Sequence, residues 1–473
     1  MSAPLRIANC SGFLGDRQAA ARELLAGDPI DVLTGDWLAE LTMLILFRQK
    51  LKRGHGYATP FLRMLEEVLG TCLDRGIRIV GNAGGLDPAL LGEAVTELGS
   101  RLGVSVSVGV VSGDDLMPTL PLLAEAGEEF VNLDTGEHLS VLGITPITAN
   151  AYLGGEPIAQ ALHSGADVVV TGRVTDAALV IGPAAWAHGW DFAEARAGDQ
   201  PTLDALAGAL VAGHVIECGA QATGGNYAFF QDVPGLERPG MPIAEVAGDG
   251  RAVITKQPGT GGMVTVGTVT AQLLYELGAP EYVNPDVVAR FDTIQLAQVG
   301  RDRVEISGTV GTPPPDRLKV AMNYLGGYRN ALTLVLTGGH VQAKADLALR
   351  AIAGVSLEQA QRLGSAPREL AAESSLDVSE LAVHLVASGI EDPATPEQAQ
   401  SFLRLSVTDA DADRVGKAFT VPVIEATLSS YPGLFPTTPP GPASPFGVYW
   451  PTTVDRDRVA VDVRLIPTAG EAS

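Results

Sequence analysis

Short valine- and isoleucine-rich runs alternate with helix-spaced segments from residue 5 to about residue 190. The strand candidates are LRIAN (5–9), DVLTG (31–35), IRIVGNAGG (77–85), VSVSVGVV (104–111), ITPITAN (144–150) and ADVVVTG (166–172). Between them, segments such as ATPFLRMLEEVLGTCLDRG place Phe61, Leu62, Leu65, Val68, Leu69 and Cys72 on one helical face. Strands apolar on both faces and separated by helices dictate an α/β fold, with a large N-terminal, mostly parallel sheet covered by helices on both faces.

Polar and glycine residues gather directly after those strands: NCSGFLGDR, TGDW, GNAGGLDP, SGDD, ANAYLGG and TGRVTD. Open α/β sheets bind ligands outside the carboxyl ends of their strands, so these six ends define one rim. Arg173 and Asp176 fall on it.

The later chain has a different texture. TLDALAGALVAGHVIECGAQATGG reads as one helix ending at Gly224 and Gly225, and VITKQPGTGGMVTVGTVTAQLLYEL as a strand, a glycine turn and a helix. Hairpin-like and β-α patterns follow, so a boundary is expected near residue 290. Residues 1–290 would form the α/β core domain, and 291–473 a smaller α+β C-terminal portion. The proline-rich stretch 431–451 carries Tyr431, Phe435, Phe446, Tyr449 and Trp450 and is expected to be an ordered arm.

Composition narrows the function. A chain of 473 residues exceeds one ordinary core. Its formal net charge of −23 disfavours nucleic acid and anionic lipid surfaces, both of which require basic patches. The start, MSAPLRIANCSG, lacks a secretory h-region, and no apolar run is long enough to span a bilayer, so a cytoplasmic location is expected. Three widely spaced cysteines, Cys10, Cys72 and Cys218, offer neither a disulfide framework nor a CxxC metal motif. The expected partner is a small molecule or another protein.

The segments SGFLGDR, TGDWLAELTM, NAGGLDP, GDD, ANAYLGG, SGADVVVTGRVTDAAL, GHVIECGAQATGG, TKQPGTGG, QLLYEL and YVNPDV, taken together and in order, resemble the acyclic terpene utilisation protein A (AtuA) family. The resemblance covers roughly residues 5–340. It implies a role in catabolism of acyclic terpenoids or related carboxylic acids through acyl-CoA intermediates. It also implies a possible small partner subunit of about a hundred residues, the size of one small domain, and it brings no agreed catalytic residues. Assembly into a homo-oligomer is expected.

The site must then be argued from chemistry. Gly12 and Gly15 follow the first strand as GxxG, short of a dinucleotide fingerprint. In NAGGLDP, Asn82, Gly84 and Gly85 either let backbone amides approach an anionic ligand or form a tight turn. Asp114 and Asp115 could hold a divalent metal or serve as a helix cap. Asn150 and Tyr152 lie beside the rim. Arg173 offers a bidentate grip on a carboxylate or phosphate with Asp176 orienting it, or else a salt bridge at a helix start. His214, Glu217 and Cys218 share one helix face, which Gln221 continues, either as an acid–base cluster with a nearby thiol or as buried structure. Lys256, ahead of Gly259, Gly261 and Gly262, suits an anion, without the order of a Walker motif.

The expected function is a hydratase- or lyase-type enzyme acting on a carboxylate or acyl-CoA, the latter as substrate rather than cofactor. Arg173 and Lys256 would bind anionic groups, and His214, Glu217, Cys218 and Asp176 would supply the chemistry. Two alternatives stand beside it: a non-catalytic acyl-CoA-binding or partner subunit, and a phosphoester hydrolase using Asp114, Asp115 and a divalent metal.

Overall fold

The computed structural model describes residues 3–466 apart from Leu142 and Glu391. The described chain forms two compact units, one of residues 3–323 with 449–466 and the other of residues 324–448. The division therefore comes at 323/324 rather than near 290, because strands Gln295–Gly300 and Arg303–Ser307 extend the sheet of the first unit.

That sheet is built on β1 (Leu5–Asn9), β2 (Val32–Gly35), β3 (Arg78–Gly81), β4 (Val108–Ser112), β5 (Thr148–Ala151) and β6 (Val168–Thr171), of which all but β5 belong to it. The order β1-β2-β3-β6-β4 is parallel throughout. Ile7, Val32, Val80 and Val169 on one face and Ala8, Leu33, Ile79 and Val168 on the other are all nearly inaccessible, as a two-sided cover of helices requires. Helices Thr59–Arg75 and Pro88–Leu102 contribute Phe61, Leu65, Leu91 and Val95 to the core on one side. Helices Ala178–His188 and Gln200–Ile216 pack against β1, β2, β7 (Pro242–Val246) and β8 (Ala252–Lys256).

The expectation of a mostly parallel sheet holds only for that central block. β7 joins β1 antiparallel, β8 follows, and Arg303–Ser307 and Gln295–Gly300 complete this edge, while Asp462–Ile466 runs antiparallel to β4 on the other. Four pairings are parallel and five antiparallel. The cause is local: β7 and β8 are joined by a turn with Gly250 at φ 82°, and the two edge strands by a turn with Asp302 at φ 52°. Such hairpins need no crossover helix. β5 instead pairs antiparallel with residues 320–323.

The second unit has its own antiparallel sheet, in which residues 328–337 pair with Gln400–Asp409 and the latter with Glu380–Val386. Helices Val341–Ala353 and Lys417–Ser429 bury Leu349, Ile352 and Phe419 against Leu334, Leu403 and Leu405.

Candidate active site

The parallel strands end at a cavity of about 490 Å³ in the first unit. Its walls come from the loops after β1, β2 and β6 and from the end of helix Gln200–Ile216 with the turn that follows.

β6 delivers Arg173 through Gly172, where a Cβ would meet Asp114 Oδ1 at 2.1 Å. Asp114 Oδ2 accepts from Arg173 N and from Asn150 Nδ2, both at 2.8 Å. Asp114 and Asn150 thus form a buried support under the arginine, and burial pushes the Asp114 carboxyl up to about 6. The Arg173 side chain is 2% exposed. Its Nη1 donates to Leu38 O at 3.0 Å, and its Nη2 lies 3.2 Å from Asp176 Oδ1 and 4.0 Å from Glu40 Oε1. The guanidinium sits 4.4 Å from the centre of the Tyr152 ring, whose hydroxyl donates to Glu40 Oε1 at 2.8 Å.

Asp36, after β2, completes this wall. Its Oδ1 accepts from Asn82 Nδ2 at 2.6 Å and from Leu38 N at 3.0 Å, and Asn82 Oδ1 accepts from Trp37 N at 2.7 Å. Burial and then the neighbouring Asp176 push the Asp36 carboxyl well above the carboxylate range. Asp176 is also raised by desolvation, against the pull of Arg173. The Asp176 charge raises Asp36, whereas Asp36 lowers Asp176, so of the two it is Asp36 that favours the proton.

The opposite wall is the end of helix Gln200–Ile216. The single long helix expected to reach Gly224 stops at Ile216, and a 3₁₀ turn Gly219–Thr223 follows, because Gly219 takes φ 57° and Asn9 Nδ2 captures the carbonyls of Ile216 and Glu217 at 2.6 and 2.8 Å. This stop turns Glu217, Cys218 and Gln221 toward the cavity. His214 is fully buried beneath it, against the stacked rings of Tyr282 and Phe291, with Nδ1 3.3 Å from Glu217 Oε1. Burial pushes Glu217 up to about 7, against the opposing pull of His214. Burial works to lower His214, but the charge and hydrogen bonding of Glu217, with Leu273 and Glu276 adding to them, together raise the imidazole. Burial also raises Cys218, which therefore stays a neutral thiol at neutral pH.

Other residues singled out in the sequence lie elsewhere. Gly84 and Gly85 form the tight turn: a Cβ on Gly84 would stand 2.5 Å from Thr171 O, and Gly85 has φ 52°. Lys256 does not line the cavity; its Nζ donates to Thr260 O at 2.8 Å and lies 3.6 Å from Asp302 Oδ2. Gly259 and Gly262 have positive φ, and Gly261 packs where a Cβ would meet Gly235 O at 2.2 Å, so this turn is pressed against its neighbouring loop. Asp115 Oδ1 caps Met117 N. Among the described residues, no three of His, Cys, Asp and Glu stand together as a metal ion would require.

The residues that the sequence does not single out are Asp36, Glu40 and Glu276 on the wall and Asn9 behind it, while Asp16, which reads as a cap of the following helix, also stands on the wall. For Asp36 the signal was present, an aspartate directly after a buried strand. For Asn9 none was, since its partners are more than 200 residues away.

The family model described as acyclic terpene utilisation family protein AtuA matches residues 5–465. No curated protein and no solved structure matches the chain. No helix of the described residues is long and apolar enough to cross a membrane.

Proposed function

The chain belongs to the acyclic terpene utilisation family, and from that premise and the geometry of the cavity we propose that it is an acid–base enzyme of the hydratase or lyase type. Its substrate is a carboxylic or acyl-CoA intermediate of acyclic terpene or related catabolism. The observation that carries the reading is that one cavity is lined by two sets of buried carboxyls raised above their ordinary range: Asp36 with Asp176 beneath Arg173, and Glu217 backed by His214. Addition or elimination needs one group to take a proton from carbon and another to give one to the leaving or entering oxygen or nitrogen. Carboxyls raised toward neutrality suit both tasks.

In this reading Glu217 is the group that exchanges a proton with substrate, and His214 behind it shares that proton with the carboxyl. Asp176 with Asp36 serves the opposite face, and Arg173 fixes the Asp176 carboxyl in place. Cys218 is a neutral neighbour. Lys256 has no part, since its ammonium is turned to its own loop.

The test is proton exchange at carbon. The full-length protein is incubated in D2O with β-hydroxy, β-amino and α,β-unsaturated acids and their CoA thioesters, and deuterium uptake and product formation are followed by NMR. Exchange or conversion with at least one class is expected, falling on the order of 100-fold in Glu217→Gln and in Asp176→Asn. No exchange across the panel, or full exchange in both variants, rejects the reading and favours the non-catalytic binding subunit.

A further inference from the structure

The cavity presents many acceptors and little positive charge. Six carboxyl groups line it, those of Asp16, Asp36, Glu40, Asp176, Glu217 and Glu276, against the single guanidinium of Arg173. That guanidinium is taken up by Leu38 O through Nη1, by Asp176 through Nη2 and by the Tyr152 ring, which leaves only its buried Nε without a partner. Lys319, with its ammonium 4.9 Å from the centre of the Tyr152 ring, adds a second cation beside the cluster, and the carboxyls still outnumber the two cations. Desolvation works to raise Glu40, but Arg173, hydrogen bonds from Tyr152 and the backbone, and Lys319 together hold that carboxyl below its usual range, so it remains ionised.

A second observation is independent of this charge count. The Glu217 side chain is 4% exposed, its Oε1 faces His214, and its Oε2 has no hydrogen-bond partner among the described residues. Gln221 Oε1, on the same wall, has none either. A buried acceptor without a donor is costly, and a ligand that brings the donor recovers that cost. The remaining wall is apolar, with Phe13, Leu38, Leu236 and Pro239. The site thus asks for a group that donates hydrogen bonds, carries positive charge and has a hydrocarbon body. A carboxylate meets neither of the first two conditions and a phosphate lacks the positive charge, and among the described residues no triad of ligands is arranged for a metal ion.

We propose that this cavity takes a protonated aliphatic amine, with its ammonium group donating to Glu217 Oε2 and its hydrocarbon portion lying against Phe13 and Leu236. The inference rests on the reading of this cavity as the substrate site and narrows it: the part of the carboxylic or acyl substrate that enters bears a basic nitrogen, and its anionic end lies outside the carboxyl cluster.

The experiment reads binding alone, by calorimetry and thermal stabilisation of the full-length protein in EDTA, with n-pentylamine, n-pentanol and pentanoate as matched probes and magnesium chloride as a separate arm without EDTA. Pentylamine is expected to bind with a Kd on the order of millimolar, as suits so small a ligand, and about 10-fold or more tighter than pentanol or pentanoate. Binding should weaken when salt rises from about 0.05 to about 0.5 M, through screening. Glu217→Gln should weaken it roughly 10-fold, and the exposed Glu276→Gln, which has little reason to disturb folding, roughly 3-fold. Pentanoate or pentanol binding as tightly as the amine, an amine silent at tens of millimolar, or stabilisation by magnesium alone would each overturn the proposal. A silent amine leaves the D2O exchange test untouched, and amine binding without exchange or turnover rejects only the acid–base reading.

Discussion

His214 Nδ1 stands 3.3 Å from Glu217 Oε1, one helical turn apart, with the imidazole wholly buried and the carboxyl at the cavity wall. A proton on this pair is stabilised twice, since an ionised Glu217 is disfavoured by burial and His214 is raised by the charge of Glu217. The pair is therefore a reservoir that opens on one side only.

A pH dependence of stability follows. Glu217 rises from its ordinary 4.5 to about 7 on folding, so between those values the folded chain holds a proton that the unfolded chain releases. Its contribution is fully present below pH 4.5 and is lost as pH rises through about 7, and His214, also raised, acts in the same direction. The stability of the wild type relative to Glu217→Gln should fall by about 1–3 kcal/mol across this window. Urea unfolding of both proteins at several pH values checks it, and a difference that stays flat or grows with pH contradicts the assignment.

Removing Arg173 should be severe. It is the cation buried among Glu40, Asp36 and Asp176, and Arg173→Met leaves those carboxyls without it while losing the bond to Leu38 O. A cost of about 3–5 kcal/mol is expected. Arg173→Lys should recover only part, because an ammonium cannot span Leu38 O and Asp176 together or stack as a plane on Tyr152. Chemical denaturation decides: a loss under about 1 kcal/mol for Arg173→Met would show that the arginine is not the counterion of this cluster.

The parts of this architecture written in local pattern were legible. β1, β2, β3, β4 and β6 carry apolar residues on both faces, and polar residues follow each of them, so the rim could be read. What depended on distant partners could not. β5 has an ordinary strand pattern, but its partner lies at residues 320–323. Asp36 was visible as an aspartate after a strand, yet the rise that Asp176 imposes on it exists only where two loops meet. The turn after Lys256 misled because glycines that free a backbone for a ligand equally let it press against another loop, as Gly261 does at Gly235.

That contrast makes Lys256 a control. Lys256→Met should lower stability by about 1–3 kcal/mol, since a buried donor to Thr260 O is lost, while exchange activity stays within about 3-fold of wild type. Steady-state kinetics in the D2O assay provide the comparison. A KM raised tenfold or more would return Lys256 to the substrate site.

Asn9 is the residue through which the first strand positions the chemistry. Its Nδ2 donates to the carbonyls of Ile216 and Glu217, and its Oδ1 faces Thr34 Oγ1 at 3.4 Å, so β1, β2 and the helix end are tied at one buried point. Asn9→Ala leaves both carbonyls without that donor and should cost about 1–3 kcal/mol. It should also let the last turn relax, so that Glu217 no longer holds its place at the wall. Because Asn9 is not among the residues lining the cavity, the expected signature is a fall in kcat of about 10-fold or more with KM changed much less. Asn9→Asp, which turns an acceptor toward the two carbonyls, should be worse than Asn9→Ala in both stability and kcat. A variant that loses stability but keeps its kcat would reduce Asn9 to a structural tie and separate the helix stop from the chemistry of Glu217.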